Sequence, residues 1–349
     1  MDAAAEHDPR LLPRVADDAA FVPAQDLGGA AHVVVDGARL PGTALSLSHW
    51  PGAGTPPALA ADTSAEIVDR YLGCGASGPP VGAVTNNHYD EDGLFGIWML
   101  LERPARDARR LAIAAAEAGD FGTWTDPWAA RAAIAAMAMA ERATTPFPEV
   151  GRALARAGGR DPAGALYLAI LPRVGGLLAD PERYRFLWEP EWARVEADVA
   201  LIETGEAALE DRPAADLAIV RAPRPLHDMA VHPRTLRTRI LTALPDGTLT
   251  VRHRYETWVD YASRPLAPRV DLAPLLPRLQ EWERRPGVWR FDGVEPIRPR
   301  LYLADAHGRP VPSSLGPERL ADALAGWLGL DRVGDGKLDP ERGGARSRA

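Results

Sequence analysis

Three scarcities in this 349-residue sequence limit its chemistry. Its one lysine, Lys337, argues against Schiff-base chemistry and against a P-loop. Its single cysteine, Cys74, excludes an internal disulfide and agrees with a reducing compartment. There is no run of about 18 apolar residues, and the start of the chain lacks the basic and then apolar pattern of a signal peptide. We therefore expect a cytoplasmic protein that is not embedded in a membrane.

The charge of the chain is unevenly distributed. The net charge of −8 argues against general nucleic-acid binding. Between Asp2 and Asp126 there are 18 acidic residues and 8 arginines, whereas between Arg221 and Arg300 there are 15 arginines and 9 acidic residues. This asymmetry predicts an N-terminal part that binds cations and a C-terminal part that binds a small anionic substrate.

The alternation of strand and helix patterns predicts an α/β fold. A hydrophobic content of 46% is sufficient for real cores. Strands are predicted at 32–36 and 43–47, and helices at 94–101, 106–118 and 127–141. The predicted division is a disordered segment at 1–20, a parallel-sheet metal-binding lobe at 21–145, a helical connector at 146–212, a smaller arginine-rich α/β domain with a mixed sheet at 213–332, and a disordered tail at 333–349.

One loop concentrates potential metal ligands. His88, Asp90 and Asp92 occupy alternate positions between a short strand and an apolar run, so their side chains point the same way if the loop is extended. Imidazole and carboxylate together suit Mn²⁺, with Zn²⁺ or Fe²⁺ as alternatives. The competing interpretation is that the two aspartates cap the following helix. An EF-hand calcium loop fits poorly, because Met99 stands where a bidentate glutamate is needed.

Two further residues are candidates for the same site. His49 follows a predicted strand, and side chains beyond the carboxyl ends of strands in an α/β sheet gather at the functional site. Asp120 lies between two glycines that allow a sharp turn, although this pattern is also an ordinary helix terminator. Thr63 and Glu66 form a capping box at a helix start, which leaves Asp62 either to approach a metal or to be solvated.

The C-terminal module offers an anion clamp. Arg252 and Arg254 stand two apart on a predicted strand, and Ser263 and Arg264 follow an aromatic stretch. Arginine recognises phosphate or carboxylate with a planar fork, so these four residues are the predicted substrate-binding set. The alternative is a solvated strand face with surface ion pairs.

The segment from Ala83 to Leu94 resembles the strand–loop–helix motif of the DHH phosphoesterase superfamily. In that superfamily the corresponding groups bind two metal ions, which implies that His88, Asp90 and Asp92 are ligands here. His49 and the residues from Ala61 to Glu66 are similar to the Asp-His-His segment of that superfamily and the helix start after it. Here, however, the segment retains one histidine and precedes the His88 motif. The resemblance covers Val33 to Thr123, and the whole chain is similar to an uncharacterised bacterial family with no assigned function.

These observations lead to one hypothesis of function and two alternatives. The hypothesis is a metal-dependent phosphoesterase acting on a small phosphorylated or nucleotide substrate, with His49, His88 and Asp90 at the catalytic centre and His88, Asp90, Asp92, Asp120 and His49 as metal ligands. One alternative is a non-catalytic protein, derived from such a hydrolase, that binds a ligand or partner. The other is an amide or ester hydrolase that uses a metal.

Overall fold

The computed structural model describes residues 8–141, 147–157 and 162–329. These residues form two compact units, each assembled from separate stretches of chain. Of the described residues, those up to Thr204 form the first unit together with Leu226–Leu236 and Arg254–Ala267. The second unit is formed by Gly205–Pro225, Arg237–His253 and the described residues from Pro268 onward. The two short insertions in the first unit are therefore bounded in sequence by residues of the second.

The first unit is built on a four-stranded parallel sheet. Its strand order is β1-β4-β2-β3, with β1 at Arg14–Phe21, β2 at His32–Val35, β3 at Thr43–Leu47 and β4 at Pro80–Thr85. Strand β2 is buried throughout because it lies between two neighbours and carries the β-branched run Val33, Val34 and Val35. Since all four strands are parallel, the ends of β2, β3 and β4 open at one edge of the sheet.

Helices pack on this sheet and on one another. Their bounds are α1 Ser64–Gly73, α2 Glu91–Glu102, α3 Arg106–Phe121, α4 Pro127–Ala140, α5 Pro148–Ala157, α6 Pro162–Ala179 and α7 Arg185–Glu203, and a short α8 covers Asp228–Val231. Helix α2 is the central one, with Leu94, Phe95 and Ile97 fully buried in the core. Thr63 caps α1 by accepting a hydrogen bond from the Glu66 amide, as the sequence predicts.

Helix α6 is long and apolar enough to cross a membrane by length and composition alone. Its inward face, including Tyr167, Ile170 and Val174, is buried in the core of the first unit. A core helix of a globular protein passes the same test, so this helix is weak evidence for a membrane span.

The second unit contains a six-stranded mixed sheet in the order β5-β6-β7-β8-β10-β9. The strands are β5 Ala208–Arg212, β6 Leu217–Arg221, β7 Arg239–Ala243, β8 Leu249–His253, β9 Val288–Phe291 and β10 Arg300–Ala304, and the helices are α9 Leu276–Trp282 and α10 Pro317–Trp327. Among the described strands of this sheet, β6 and β7 pair in parallel and the other neighbours pair antiparallel. Leu279 of α9 and Leu320 and Leu324 of α10 are fully buried in the core of this unit.

The predicted fold class is confirmed, with differences at two places. Strand β1 begins at Arg14, inside the segment predicted to be disordered, and is held to β4 by backbone pairing. Strand β8 ends at His253, so the predicted hairpin does not continue to Val259, and Tyr255–Thr257 forms a 3-10 turn instead. The predicted disordered tail lies outside the described residues.

Candidate metal centre

Three neighbouring strands deliver acidic and histidine side chains to one edge of the parallel sheet. Asp36 directly follows β2, His49 stands two residues beyond β3, and His88 and Asp90 follow β4. Asp92 comes from the first turn of α2, and Asp120 from the last turn of α3. All the predicted metal ligands therefore lie in one cluster, together with Asp36.

The His49 imidazole is the centre of the more buried half of this cluster. Its Nε2 lies 3.4 Å from Asp36 Oδ1, 3.5 Å from Asp120 Oδ2 and 3.6 Å from Asp92 Oδ2. Among the described residues this nitrogen has no hydrogen bond of normal geometry. Ligand atoms about 2.1 Å from one tetrahedral ion lie about 3.4 Å apart. The distance from Nε2 to each of the three oxygens is therefore close to that between two ligands of one cation.

The other half of the cluster consists of Asp36, His88 and Asp90. His88 Nε2 lies 2.7 Å from Asp90 Oδ2, to which it donates a hydrogen bond, and 3.2 Å from Asp36 Oδ2. In both the Asp36–His49–Asp92 group and the Asp36–His88–Asp90 group, the potential ligand atoms lie within 4.8 Å of one another. Buried aspartate and histidine groups of the first unit could thus hold a metal ion.

Asp36 is common to both groups, and each of its two oxygens faces a different histidine. Its side chain is fully buried, and its backbone has φ +50°, which is unusual for a residue other than glycine. Such strain persists where surrounding structure enforces it and is concentrated at functional sites. Next to it, a Cβ on Gly37 would lie 2.6 Å from Asn87 Oδ1 and 2.9 Å from Asn86 Oδ1, so a larger residue would have to displace these two amide side chains.

The start of α1 holds two of the carboxylates in place. The Ser64 and Ala65 amides donate to the two oxygens of Asp92, at 2.6 and 2.7 Å. Ser64 Oγ donates to Asp36 Oδ1 at 2.8 Å and accepts from the His49 amide. Asp92 is thus bound by the positive end of a neighbouring helix, and this arrangement fixes the orientation of the candidate ligand atoms.

Burial and mutual repulsion set the protonation of the carboxylates. Burial and the charge of Asp36 raise the pKa of Asp92 to about 7, and burial with the charges of Asp92 and Asp90 raises the pKa of Asp120 well above its usual range. Burial and the charge of Asp36 also raise the pKa of Asp90. Burial opposes ionisation of Asp36 too, but His49 and His88 outweigh it and hold the pKa of Asp36 below its usual range.

The two histidines respond in the opposite direction. Burial lowers the pKa of His49, but the contact with Asp36 and the charge of Asp92 raise it to about 9 overall. Burial is outweighed in the same way at His88, where the charge of Asp90 and the contact with Asp36 raise the pKa to about 11. Four neighbouring carboxylates thus favour positive charge within the cluster, on the histidines or on a bound cation.

An aromatic wall borders the cluster within the first unit. The Trp50 ring lies 4.6 Å from the His88 ring, and Trp258 meets Trp50 edge-on at 5.1 Å. Tyr255 approaches His49 at 5.9 Å. Trp258 and Tyr255 belong to the inserted stretch Arg254–Ala267, which we call the 254–267 segment, so this segment forms part of the surroundings of the cluster.

The predicted substrate-binding residues belong to two different units. Arg254, Ser263 and Arg264 lie in the 254–267 segment, whereas Arg252 lies on β8 of the second unit. Arg254 is buried, pairs with the buried Glu256 and donates to the Thr235 carbonyl. Arg264 is half-buried with its guanidinium 5.5 Å from the Tyr261 ring. Arg254, one of the four residues predicted to bind the substrate, is therefore engaged in contacts within the protein.

The helix-cap interpretation of the central motif holds for one aspartate. Asp90 is the N-cap of α2 and accepts from the Gly93 amide at 2.9 Å, while its other oxygen contacts His88. Asp92 does not cap its own helix but is bound by α1. Capping and metal binding are therefore compatible at Asp90. Asp36 was not predicted as a site residue, and its only signal is an acidic residue followed by glycine after a buried strand.

Comparison with known proteins gives one match. The model of a "Family of unknown function (DUF6687)" matches residues 17–333. No curated protein and no solved structure matches. The matched family carries no activity in its description, so the resemblance to DHH phosphoesterases stays a prediction.

Proposed function

The chain belongs to the Family of unknown function (DUF6687), and because that description assigns no chemistry, we propose from the site itself that it is a metal-dependent hydrolase of phosphate esters. The observation that carries the proposal is the placement of His49 Nε2 at 3.4–3.6 Å from three carboxylate oxygens, with Asp36 turning its second oxygen to His88. Asp36, His49, Asp92 and Asp120 would hold one divalent cation, and Asp36, His88 and Asp90 a second.

Two divalent ions supply activated water and neutralise charge on a transferring phosphoryl group when they are bound. The chain's own residues would orient these ligands and shape the space around them. The α1 amides and Ser64 fix Asp92 and Asp36, and the Asp62 carbonyl accepts from His49 Nδ1 at 2.6 Å, which directs Nε2 toward the carboxylates. Trp50, Tyr255 and Trp258 would limit the access of bulk water. Manganese is the preferred ion, with Zn²⁺ or Fe²⁺ as alternatives, because the ligands are mixed imidazole and carboxylate.

The test is a screen of the purified protein against chromogenic phosphomonoesters and phosphodiesters with added Mn²⁺. We expect hydrolysis that a chelator abolishes and that Asp92→Asn reduces by about 100-fold or more, because even outer-shell changes at metal sites cost roughly 10–100-fold. Metal binding without hydrolysis of any phosphoester would favour the alternative of a non-catalytic binding protein. Hydrolysis of carboxylic esters or amides alone would favour the alternative of a metal-dependent ester or amide hydrolase.

Arg264 is the proposed anion-binding residue of the 254–267 segment. It is half-buried beside Tyr261 and, unlike Arg254, is not engaged in a buried ion pair in the described structure. A charge-assisted contact to phosphate contributes roughly 1.5–3 kcal/mol, so Arg264→Ala should weaken phosphate and pyrophosphate binding about tenfold or more in titration calorimetry. Arg264→Lys should restore only part of the affinity, because the planar fork is lost. Equal affinities for wild type and Arg264→Ala would remove this residue from the site.

A further inference from the structure

Three backbone amides tie the 254–267 segment to residues beside the metal centre. The Asp260 amide donates to the His49 carbonyl at 2.8 Å. The amides of Ala262 and Ser263 both donate to Asp62 Oδ1, at 2.8 and 2.7 Å. The last turns of the segment are thus held by His49 and Asp62, and no strand pairing of the segment is present in the described structure.

Asp62 contacts a candidate metal ligand with its backbone as well. Its carbonyl accepts from His49 Nδ1 at 2.6 Å, so Nδ1 carries the proton and Nε2 is the nitrogen that faces the carboxylates. The residues that follow fix its position, because Thr63 caps α1 and Ser64 and Ala65 bind Asp92. Since Thr63 supplies the cap, the carboxylate of Asp62 is not needed for the helix start and is directed to the 254–267 segment.

We propose that Asp62 is a positioning residue of the metal centre, whose carbonyl orients His49 and whose carboxylate holds the 254–267 segment closed beside it. The proposal deepens the proposed function and rests on the metal centre assigned there. With a cation held at Nε2, the His49 Nδ1–H would be a stronger donor, and its bond to the Asp62 carbonyl would tighten. Because the same residue holds Ala262 and Ser263, ion binding is linked to closure of the segment that carries Tyr255, Trp258 and Arg264.

Amide hydrogen exchange measures the hydrogen bonds to Asp62 directly, because their donors are the backbone N–H groups of Ala262 and Ser263. In the full-length wild type, Mn²⁺ should slow exchange of the Ala262 and Ser263 amides about tenfold or more. Asp62→Ala should speed their exchange by a similar factor and remove most of the effect of Mn²⁺. Asp62→Asn keeps an acceptor oxygen and should retain most of the protection. Mn²⁺ affinity should fall less than about tenfold in Asp62→Ala, because the carbonyl that orients His49 remains.

Asp260→Ala is the matched control, because it removes an exposed carboxylate from the same segment but leaves the Asp260 amide in place. It should exchange like the wild type with and without Mn²⁺. Unchanged exchange at Ala262 and Ser263 in Asp62→Ala would overturn the proposal, and so would a wild type that binds Mn²⁺ without any change at these amides. The readout needs no substrate, so a failure of phosphoester hydrolysis would count against the proposed function alone.

Discussion

Replacing Asp36 by Asn is expected to abolish tight binding of Mn²⁺ and, with it, phosphoester hydrolysis. Asp36 is the residue shared by the two groups, with Oδ1 facing His49 and Oδ2 facing His88. The substitution removes the negative charge but keeps the shape, and asparagine tolerates the left-handed backbone conformation at this position. Because loss of an outer-shell partner already costs roughly 10–100-fold in metal affinity, loss of the shared ligand should cost about 100-fold or more for each ion.

Asp69→Asn is the matched control for this change. Asp69 lies on α1 in the same unit and pairs with Arg109 at 2.6 Å, away from the cluster. Its replacement should leave metal affinity and turnover within about twofold of the wild type, since partly exposed ion pairs contribute little. If Asp36→Asn instead binds Mn²⁺ as tightly as the wild type, the cluster is a hydrogen-bonded network of histidine and aspartate and not a metal centre.

Arg254→Ala is expected to lower stability sharply. Arg254 is buried, pairs with the buried Glu256 and donates to the His232 and Thr235 carbonyls, so it joins the 226–236 and 254–267 insertions within the first unit. Breaking a buried pair leaves the partner charge uncompensated and costs about 3–5 kcal/mol. Urea denaturation should show this loss in both Arg254→Ala and Glu256→Ala.

Two comparisons separate this structural role from a role in substrate binding. Arg264→Ala, in the same segment, should cost less than about 1 kcal/mol, because it removes only a contact with the Tyr261 ring. The double variant Arg254→Met with Glu256→Leu should recover part of the stability, since removing both charges leaves neither unpaired. If Arg254→Ala were as stable as the wild type and bound phosphate more weakly, Arg254 would be a substrate-binding residue and not a structural one.

The grouping of the predicted candidate ligands in one cluster follows from local rules. Side chains after parallel strands gather at one edge of the sheet, and this rule places His49 beside the His88 loop. Gly119 and Gly122 flank Asp120 at the end of α3, where Gly122 adopts φ +63° and terminates the helix. A Cβ on Gly119 would lie 2.7–2.8 Å from the Glu91 side chain, so this glycine allows α3 to approach α2 closely.

Asp36 could not be assigned from the sequence because its role depends on three strands meeting. A single aspartate after Val33, Val34 and Val35 is an ordinary strand end, and only the pairing of β2 with both β3 and β4 places it between two histidines. Strand β1 was missed for another reason. Its sequence contains adjacent aspartates and alanines, which are depleted in strands, and its pairing with β4 overrides that preference.

The 254–267 segment shows the limit of assigning residues to domains by sequence order. Its arginines follow β8 directly, so composition groups the segment with the basic module. Other residues of the segment contact the first unit: Tyr255 and Trp258 meet the rings of His49 and Trp50, and the Ala262 amide donates to Asp62. Likewise, the alternating positions of Asp90 and Asp92 in the sequence are compatible both with helix caps and with metal ligands. Asp90 has the geometry for both, because each of its oxygens has a different partner.

Anomalous diffraction from crystals grown with Mn²⁺ locates bound ions without reference to activity. Two anomalous peaks are expected on either side of Asp36, one within about 2.0–2.2 Å of His49, Asp92 and Asp120 atoms and one at similar distances from His88 and Asp90. Asp36 should provide one oxygen to each. A map with no peak at either position at saturating Mn²⁺, in which His49 Nε2 still lies 3.4 Å from Asp36 Oδ1, would show that the cluster is not a metal centre.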